Sequence, residues 1–169
     1  NERVLILPKQ FLITPEMGAR TELGRRAIDI GLDNLNGNLF LSLFILQDMQ
    51  HDDAFHLPYY RILPTVADMR RFPAFWTSDE IGELLEGSPI VDEIREQKDG
   101  NARDFERLKQ ADPCLVETFN ITAETYLWAE IVVASRAFMI DHRKKWQHAM
   151  DAEQQRYQKN NIKAQAKED

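Results

Sequence analysis

Tyr126, Leu127, Trp128, Ala129, Ile131, Val132, Val133 and Ala134 form an almost unbroken apolar run, with Glu124, Thr125 and Glu130 as its polar breaks. No other stretch restricts the fold as strongly. A helix that is apolar around most of its circumference has no face to give to water, so other elements must enclose it. Thr122 stands where a side-chain oxygen can cap the first turn. At the far end Ser135-Arg136-Ala137-Phe138 continues the same pattern, which predicts a buried guanidinium. An unpaired buried charge costs roughly 3–5 kcal/mol, so Arg136 is expected to meet Glu130, another acid or a ligand carboxylate.

The surrounding chain has the means to build that enclosure. Its 169 residues are 43% hydrophobic and 29% charged, which fits one globular domain with a substantial core. With 28 Asp and Glu against 21 Lys and Arg, and no basic block beside an aromatic ladder, binding along nucleic-acid phosphates is not expected. Cys114 is the single cysteine, so an internal disulfide and a thiolate metal set are excluded, and it reads as a small buried hydrophobe in a reducing compartment. Leu39 to Leu46 is the longest apolar run and is too short to cross a bilayer, which predicts a core helix and no membrane partner. No signal-peptide pattern opens the chain, so an intracellular location (cytoplasm, nucleus or plastid) rather than secretion is expected, and the start within a strand-like run suggests a missing upstream piece.

The expected fold is mainly α with a short β element. Val4-Leu-Ile-Leu7 before Pro8 reads as the strand. Pro15 to about Ile30 is helical but interrupted at Gly18 and Gly24, and Asn34, Asn36 and Gly37 mark a loop. Leu39, Phe40, Leu43, Phe44, Leu46 and Met49 have the spacing of a buried helix ending near Gln50. After a turn at His51-Asp52-Asp53, Phe55 to Leu63 is expected to be helical with a kink at Pro58. Thr77 and Glu80 form a capping-box pair for a helix that stops at Gly87. Ser88 as N-cap and Pro89 at the first helical position open the next helix, which Gly100 is expected to bend and Asp112-Pro113 to close. From Asp141 onward charged residues dominate, as in a solvated helix or tail.

Several constellations have a structural and a chemical reading. His51, Asp52, Asp53 and His56 are metal-type side chains, yet they straddle a loop and lack a same-face helical His pair, so no metal site is expected. Asn120-Ile-Thr122 matches a glycosylation sequon, while Thr122 fits better as an N-cap. Tyr59, Tyr60, Phe72, Phe75 and Trp76 suit either core packing or a cage for a cationic side chain. Arg143-Lys144-Lys145, diluted by Asp141, Asp151 and Glu153, reads as a solvated face.

Three ordered blocks resemble split SET-domain protein-lysine methyltransferases, specifically the Rubisco large-subunit methyltransferase-like group. Glu2-Arg-Val-Leu-Ile-Leu-Pro8 with Leu12, Ile13 and Thr14 is similar to the strand and turn after that family's cofactor loop. Leu57-Pro-Tyr-Tyr-Arg-Ile-Leu-Pro64, Phe72-Pro-Ala-Phe-Trp76 and Thr77 to Gly87 are similar to its helical insertion. Tyr126-x-Trp128-Ala129 and Ser135-Arg136-x-Phe138 resemble its returning helix. The family's Gly-x-Gly segment, its Asp-x-x-Asn-His motif and its later tyrosine have no counterpart here, since the contexts of Tyr59, Tyr60, Tyr126 and Tyr157 do not match.

The resemblance implies a division into an end of the N-terminal SET portion (1–36), the helical insertion (37–121), the return helix (122–140) and a charged tail or insertion (141–169). It implies S-adenosylmethionine as cofactor and a protein presenting a lysine as substrate. Glu2, Arg3, Val4 and Arg136 are the positions implied to contact the cofactor, and Ser135, Arg136 and Phe138 the substrate side. No catalytic residue is implied within this chain, so the chain alone is expected to be inactive. The competing expectation is a non-catalytic helical protein-interaction module.

Overall fold

The computed structural model describes residues 8–32 and 37–138, and within them the chain is mainly α with no strand. The expected strand at Val4 to Leu7 lies outside the described residues. The helices are α1 (Pro15–Arg20), α2 (Glu22–Asp29), α3 (Gly37–Asp48), α4 (Leu57–Tyr60), α5 (Val66–Met69), α6 (Ser78–Leu84), α7 (Ile90–Ala111), α8 (Pro113–Thr118) and α9 (Ala123–Arg136).

The two most apolar helices, α3 and α9, pack on each other and form the centre. α3 buries Leu39, Phe40, Leu43, Phe44, Ile45 and Leu46, and α9 buries Tyr126, Trp128, Ala129, Ile131, Val132 and Val133. Each fully buried Leu, Ile, Val or Phe side chain contributes roughly 1.5–3 kcal/mol, which explains why neither helix tolerates a wet face. α1 and α2 cover α3, while α7 lies against α9 and receives α8. The main apolar core runs from Leu23 through Leu43, Leu108 and Val132, and Ala19 and Phe40 form a smaller cluster between α1 and α3.

Gly18 and Gly24 do not interrupt the first helical segment as expected. The break lies at Thr21, whose hydroxyl donates to the Gly18 carbonyl at 2.6 Å and accepts from the Gly24 amide at 2.9 Å. The glycines instead allow close approach: a Cβ on Gly18 would stand 1.7 Å from the Phe40 carbonyl oxygen, and one on Gly24 would stand 1.9 Å from that of Gly18. Pro58 likewise produces no kink, because it sits in the first turn of α4, where its missing N–H has no intrahelical role.

The capping signals are mostly realised as local hydrogen bonding demands. The Thr77 and Glu80 side chains exchange bonds with each other's backbone, at 2.7 Å and 3.2 Å. Thr122 pairs similarly with Thr125, which completes a capping box without an acid. A third box, Thr65 with Asp68, was not anticipated. Asp112 both ends α7 and accepts from the Leu115 amide at 3.0 Å, so the Asp-Pro step starts α8 as well as closing α7. α7 runs for 22 residues through Gly100 without a break, and Pro89 is its N-cap rather than its first residue.

Side-chain to backbone bonds join the layers. The Leu23 amide donates to Gln47 Oε1 at 3.1 Å, fixing α2 on α3. Trp128 Nε1 donates to the Pro64 carbonyl at 2.7 Å, tying the segment after α4 to α9. Arg107 Nη2 donates to the Ile30 carbonyl at 2.9 Å and Arg26 Nη2 to that of Ala111, so both ends of the α2 to α7 contact are pinned.

Candidate functional site

The Ser-Arg-x-Phe segment occupies the C-terminal end of α9. Arg136 is the last helical residue, and Ala137 turns the chain into an extended conformation. The expected burial of Arg136 is overturned: residues 134–138 are exposed, Phe138 to 93%. Enclosure stops at Val133, one turn before the sequence pattern does. Arg136 therefore needs no buried counterion, and as a cation in the last turn it interacts favourably with the helix dipole. Glu130 could not have been its partner on the same helix. Six residues advance a helix by about 9 Å and put the two side chains on different faces.

Ser135 and Arg136 are brought together. Arg136 Nη1 donates to Ser135 Oγ at 2.7 Å, and Ser135 Oγ donates to the Val132 carbonyl at 3.0 Å. The hydroxyl thereby relays a backbone anchor to the guanidinium. Among the described residues this is the polar contact of Arg136, and it leaves the rest of the planar fork facing outward. Phe138 follows two residues later as a fully displayed aromatic ring. Glu2, Arg3 and Val4 lie outside the described residues.

A second polar constellation lies at the C-terminal end of α3, around Asp48. Tyr60 donates its hydroxyl to Asp48 Oδ2 at 2.6 Å, and His56 Nδ1 lies 3.5 Å from the same oxygen. Burial first, then the Asp48 hydrogen bond and charge, push the Tyr60 phenol far above its ordinary range. It is consequently no proton acceptor at neutral pH, and its role is positional. Phe44 and Phe55 meet the His56 ring edge-on, at centroid distances of 5.7 Å and 5.1 Å. This network pins the connection from α3 to α4. Sequence reasoning missed it, although His56 and Tyr60 stand at the i, i+4 spacing of helical neighbours.

His56 is consequently turned inward while His51, Asp52 and Asp53 are exposed, so these side chains do not converge. Among the described residues no group of three or more His, Cys, Asp or Glu is arranged to hold a metal ion. The aromatic residues divide in the same way. Of Tyr59, Tyr60, Phe72, Phe75 and Trp76, only Tyr59 and Tyr60 are ring neighbours, at 6.0 Å. Tyr60 is buried, Tyr59 and Phe75 pack on the core, Phe72 is exposed, and Trp76 Nε1 donates to the Arg70 carbonyl at 3.2 Å. Five rings so dispersed make no cage. Cys114, expected to be buried, is exposed because it falls on the outer side of the short α8 while Val116 faces in.

Comparison with known proteins gives three relatives. The chain is 28% identical over 146 residues to the tobacco (Nicotiana tabacum) chloroplastic ribulose-1,5 bisphosphate carboxylase/oxygenase large subunit N-methyltransferase. It is 26% identical over 148 residues to the pea (Pisum sativum) protein of the same name. It is 25% identical over 142 residues to the chloroplastic [fructose-bisphosphate aldolase]-lysine N-methyltransferase of Arabidopsis thaliana. Each alignment covers 82% of this chain but 27% of the relative, so the chain spans about a quarter of their length. No family model matches the chain, and no solved structure matches it. The three sequence blocks pointed to the Rubisco large-subunit methyltransferase-like group, and two of these relatives carry the name of that enzyme while the third is a lysine N-methyltransferase of another protein.

Proposed function

We propose that the chain is part of a SET-domain protein-lysine N-methyltransferase that uses S-adenosylmethionine. In this reading 1–36 ends the N-terminal SET portion, 37–121 is the substrate-side helical insertion, 122–140 returns to the SET core, and 141–169 is a charged tail or insertion. The observation that carries it is the alignment with the tobacco enzyme over 82% of this chain.

The donor chemistry at the end of α9 fits the cofactor. Arg136 is exposed, its guanidinium is anchored through Ser135, and a planar fork of N–H donors matches a carboxylate such as that of S-adenosylmethionine. Bound S-adenosylmethionine supplies the sulfonium methyl group that a neutral lysine amine takes up. Arg136 holds the cofactor carboxylate, Ser135 fixes the orientation of Arg136, and Phe138 offers an apolar surface to the aliphatic stem of the lysine. Glu2, Arg3 and Val4 are assigned to the cofactor on resemblance. Rate enhancement then comes mainly from holding amine and methyl in line, which is a positioning effect. The partner is a protein presenting a lysine. A plastid location, which the names of all three relatives carry, is part of the same proposal.

The test is transfer of labelled methyl from S-adenosylmethionine to protein lysine by the intact gene product and by this chain alone. The intact product is expected to be active and the 169-residue chain inactive, because the Asn-His and tyrosine elements of the family have no counterpart in its sequence. In the intact product Arg136→Lys keeps the charge but loses the fork, so calorimetry is expected to show affinity for S-adenosylmethionine weakened roughly tenfold or more, with melting temperature retained. Unchanged affinity and turnover would remove Arg136 from the cofactor site.

A further inference from the structure

α6 and the first half of α7 form a hairpin with an apolar filling of its own. Ile81 and Ile94 are buried, yet neither belongs to the main core or to the Ala19 and Phe40 cluster. α7 reaches the main core further on, through Phe105 and Leu108. At the rise of an α-helix, Ile90 lies roughly 22 Å along the axis from Phe105. The connection between the two helices is tight. The Ser88 amide donates to the Leu85 carbonyl at 2.9 Å, and Gly87 takes a positive φ of 75°. Leu84 and Ile90 stand on either side of this turn, 64% and 47% exposed. Aliphatic side chains left open at a hairpin tip gain little from folding, and an apolar exposure rimmed by polar groups marks a contact surface.

The rim defines what such a contact must carry. Residues 79–99 hold eight acids against Arg95 and Lys98, a balance of −6 in a chain whose formal total is −7. All eight acids are exposed. Both cations are already engaged: Arg95 Nη1 lies 3.9 Å from Asp92, and Lys98 Nζ donates to the Trp76 carbonyl. Glu83, Glu86, Glu93 and Glu96 are left without an ion pair among the described residues. Glu83 and Glu86 flank Leu84 and Leu85 in sequence, and Glu93 stands at the i, i+3 spacing from Ile90.

We propose that this hairpin tip is a docking surface for a basic amphipathic segment of another protein, whose aliphatic side chains cover Leu84 and Ile90 while its lysines or arginines meet the acids around them. Charge selects that occupant. A second copy presenting the same face would set like charge against like, and nucleic acid or an anionic lipid surface is repelled for the same reason. A neutral apolar partner would desolvate the acids without offering them a cation. The contact is steered by charge and weakened by salt, while the apolar anchors make it specific. The inference does not rest on the methyltransferase reading, because neither Arg136 nor the cofactor enters it.

The experiment follows the fluorescence anisotropy of labelled peptides mixed with the intact gene product. The probe is an amphipathic peptide of leucine and lysine, compared with a lysine and serine peptide of equal charge and with a leucine and glutamate peptide. Leu84→Ser with Ile90→Ser removes the anchors, and Glu86→Lys with Glu93→Lys reverses the rim while keeping the anchors. All four side chains are exposed, so the melting temperature is expected to be retained. Each pair of substitutions is expected to weaken binding of the leucine and lysine peptide about tenfold or more. Glu117→Lys, at an exposed acid of α8, is expected to leave it unchanged. Binding that neither pair weakens would overturn the proposal, as would equal binding of the lysine and serine peptide or of the glutamate peptide. Sedimentation showing self-association that Leu84→Ser with Ile90→Ser abolishes would assign the face to a second copy and overturn it as well.

Discussion

Replacing Gly18 by Ala is expected to destabilise the protein, although intrinsic helix propensity predicts the opposite. In an exposed helix interior, Gly to Ala gains about 1 kcal/mol. Here the added Cβ would stand 1.7 Å from the Phe40 carbonyl oxygen, 2.4 Å from its carbon and 3.0 Å from its Cα. All three are backbone atoms of α3, so no side-chain rotation relieves the clash. α1 must move away from α3 by more than an ångström, and it takes with it the covering over Ala19 and Phe40, which are 1% and 0% exposed. Overpacking costs typically 1–3 kcal/mol, and a rigid backbone obstacle belongs at the upper end. Set against the propensity gain, the net loss is about 2 kcal/mol or more. Gly82, in α6, supplies the control, because nothing lies within 4 Å of its added Cβ. Gly82→Ala should raise the urea midpoint and Gly18→Ala should lower it. A Gly18→Ala midpoint at or above wild type would refute the close approach of α1 to α3 and the explanation of Gly18 built on it.

Tyr60→Phe removes the hydroxyl from Asp48 and should cost about 1–3 kcal/mol in chemical denaturation, since the carboxylate loses a charge-assisted bond in a part-buried setting. Trp128→Phe leaves the Pro64 carbonyl without its 2.7 Å donor and should cost about 1–3 kcal/mol, with faster amide exchange in the segment between α4 and α5. The Asp68 and Glu80 carboxyls are held below their ordinary range by the Thr65 and Thr77 side chains and amides. Their contribution is therefore present above the ordinary carboxylate range and lost as pH falls through the lowered values. NMR titration should find both below reference peptides, and Thr77→Val should return Glu80 toward the reference.

Much of the helical framework was legible along the chain because it rests on local demands. Thr77, Thr122 and Asp112 cap helices through groups three residues away, and Leu39 to Met49 show their spacing without reference to anything distant. The three sequence blocks identified the group of relatives for the same reason, since they are short local patterns. What tertiary structure decided is where enclosure begins and ends. The apolar run of α9 continues to Ala134, but the helices that cover it stop at Val133, so Arg136 is exposed and Cys114 faces outward from α8. Gly18 is a packing residue rather than a helix breaker only because Phe40 arrives against it from another helix. Asp48 and Tyr60, or Trp128 and Pro64, become partners through the way the chain folds back on itself. Periodicity assigns a side chain to one face of its own helix, but which groups share that space depends on distances between segments that sequence order leaves open.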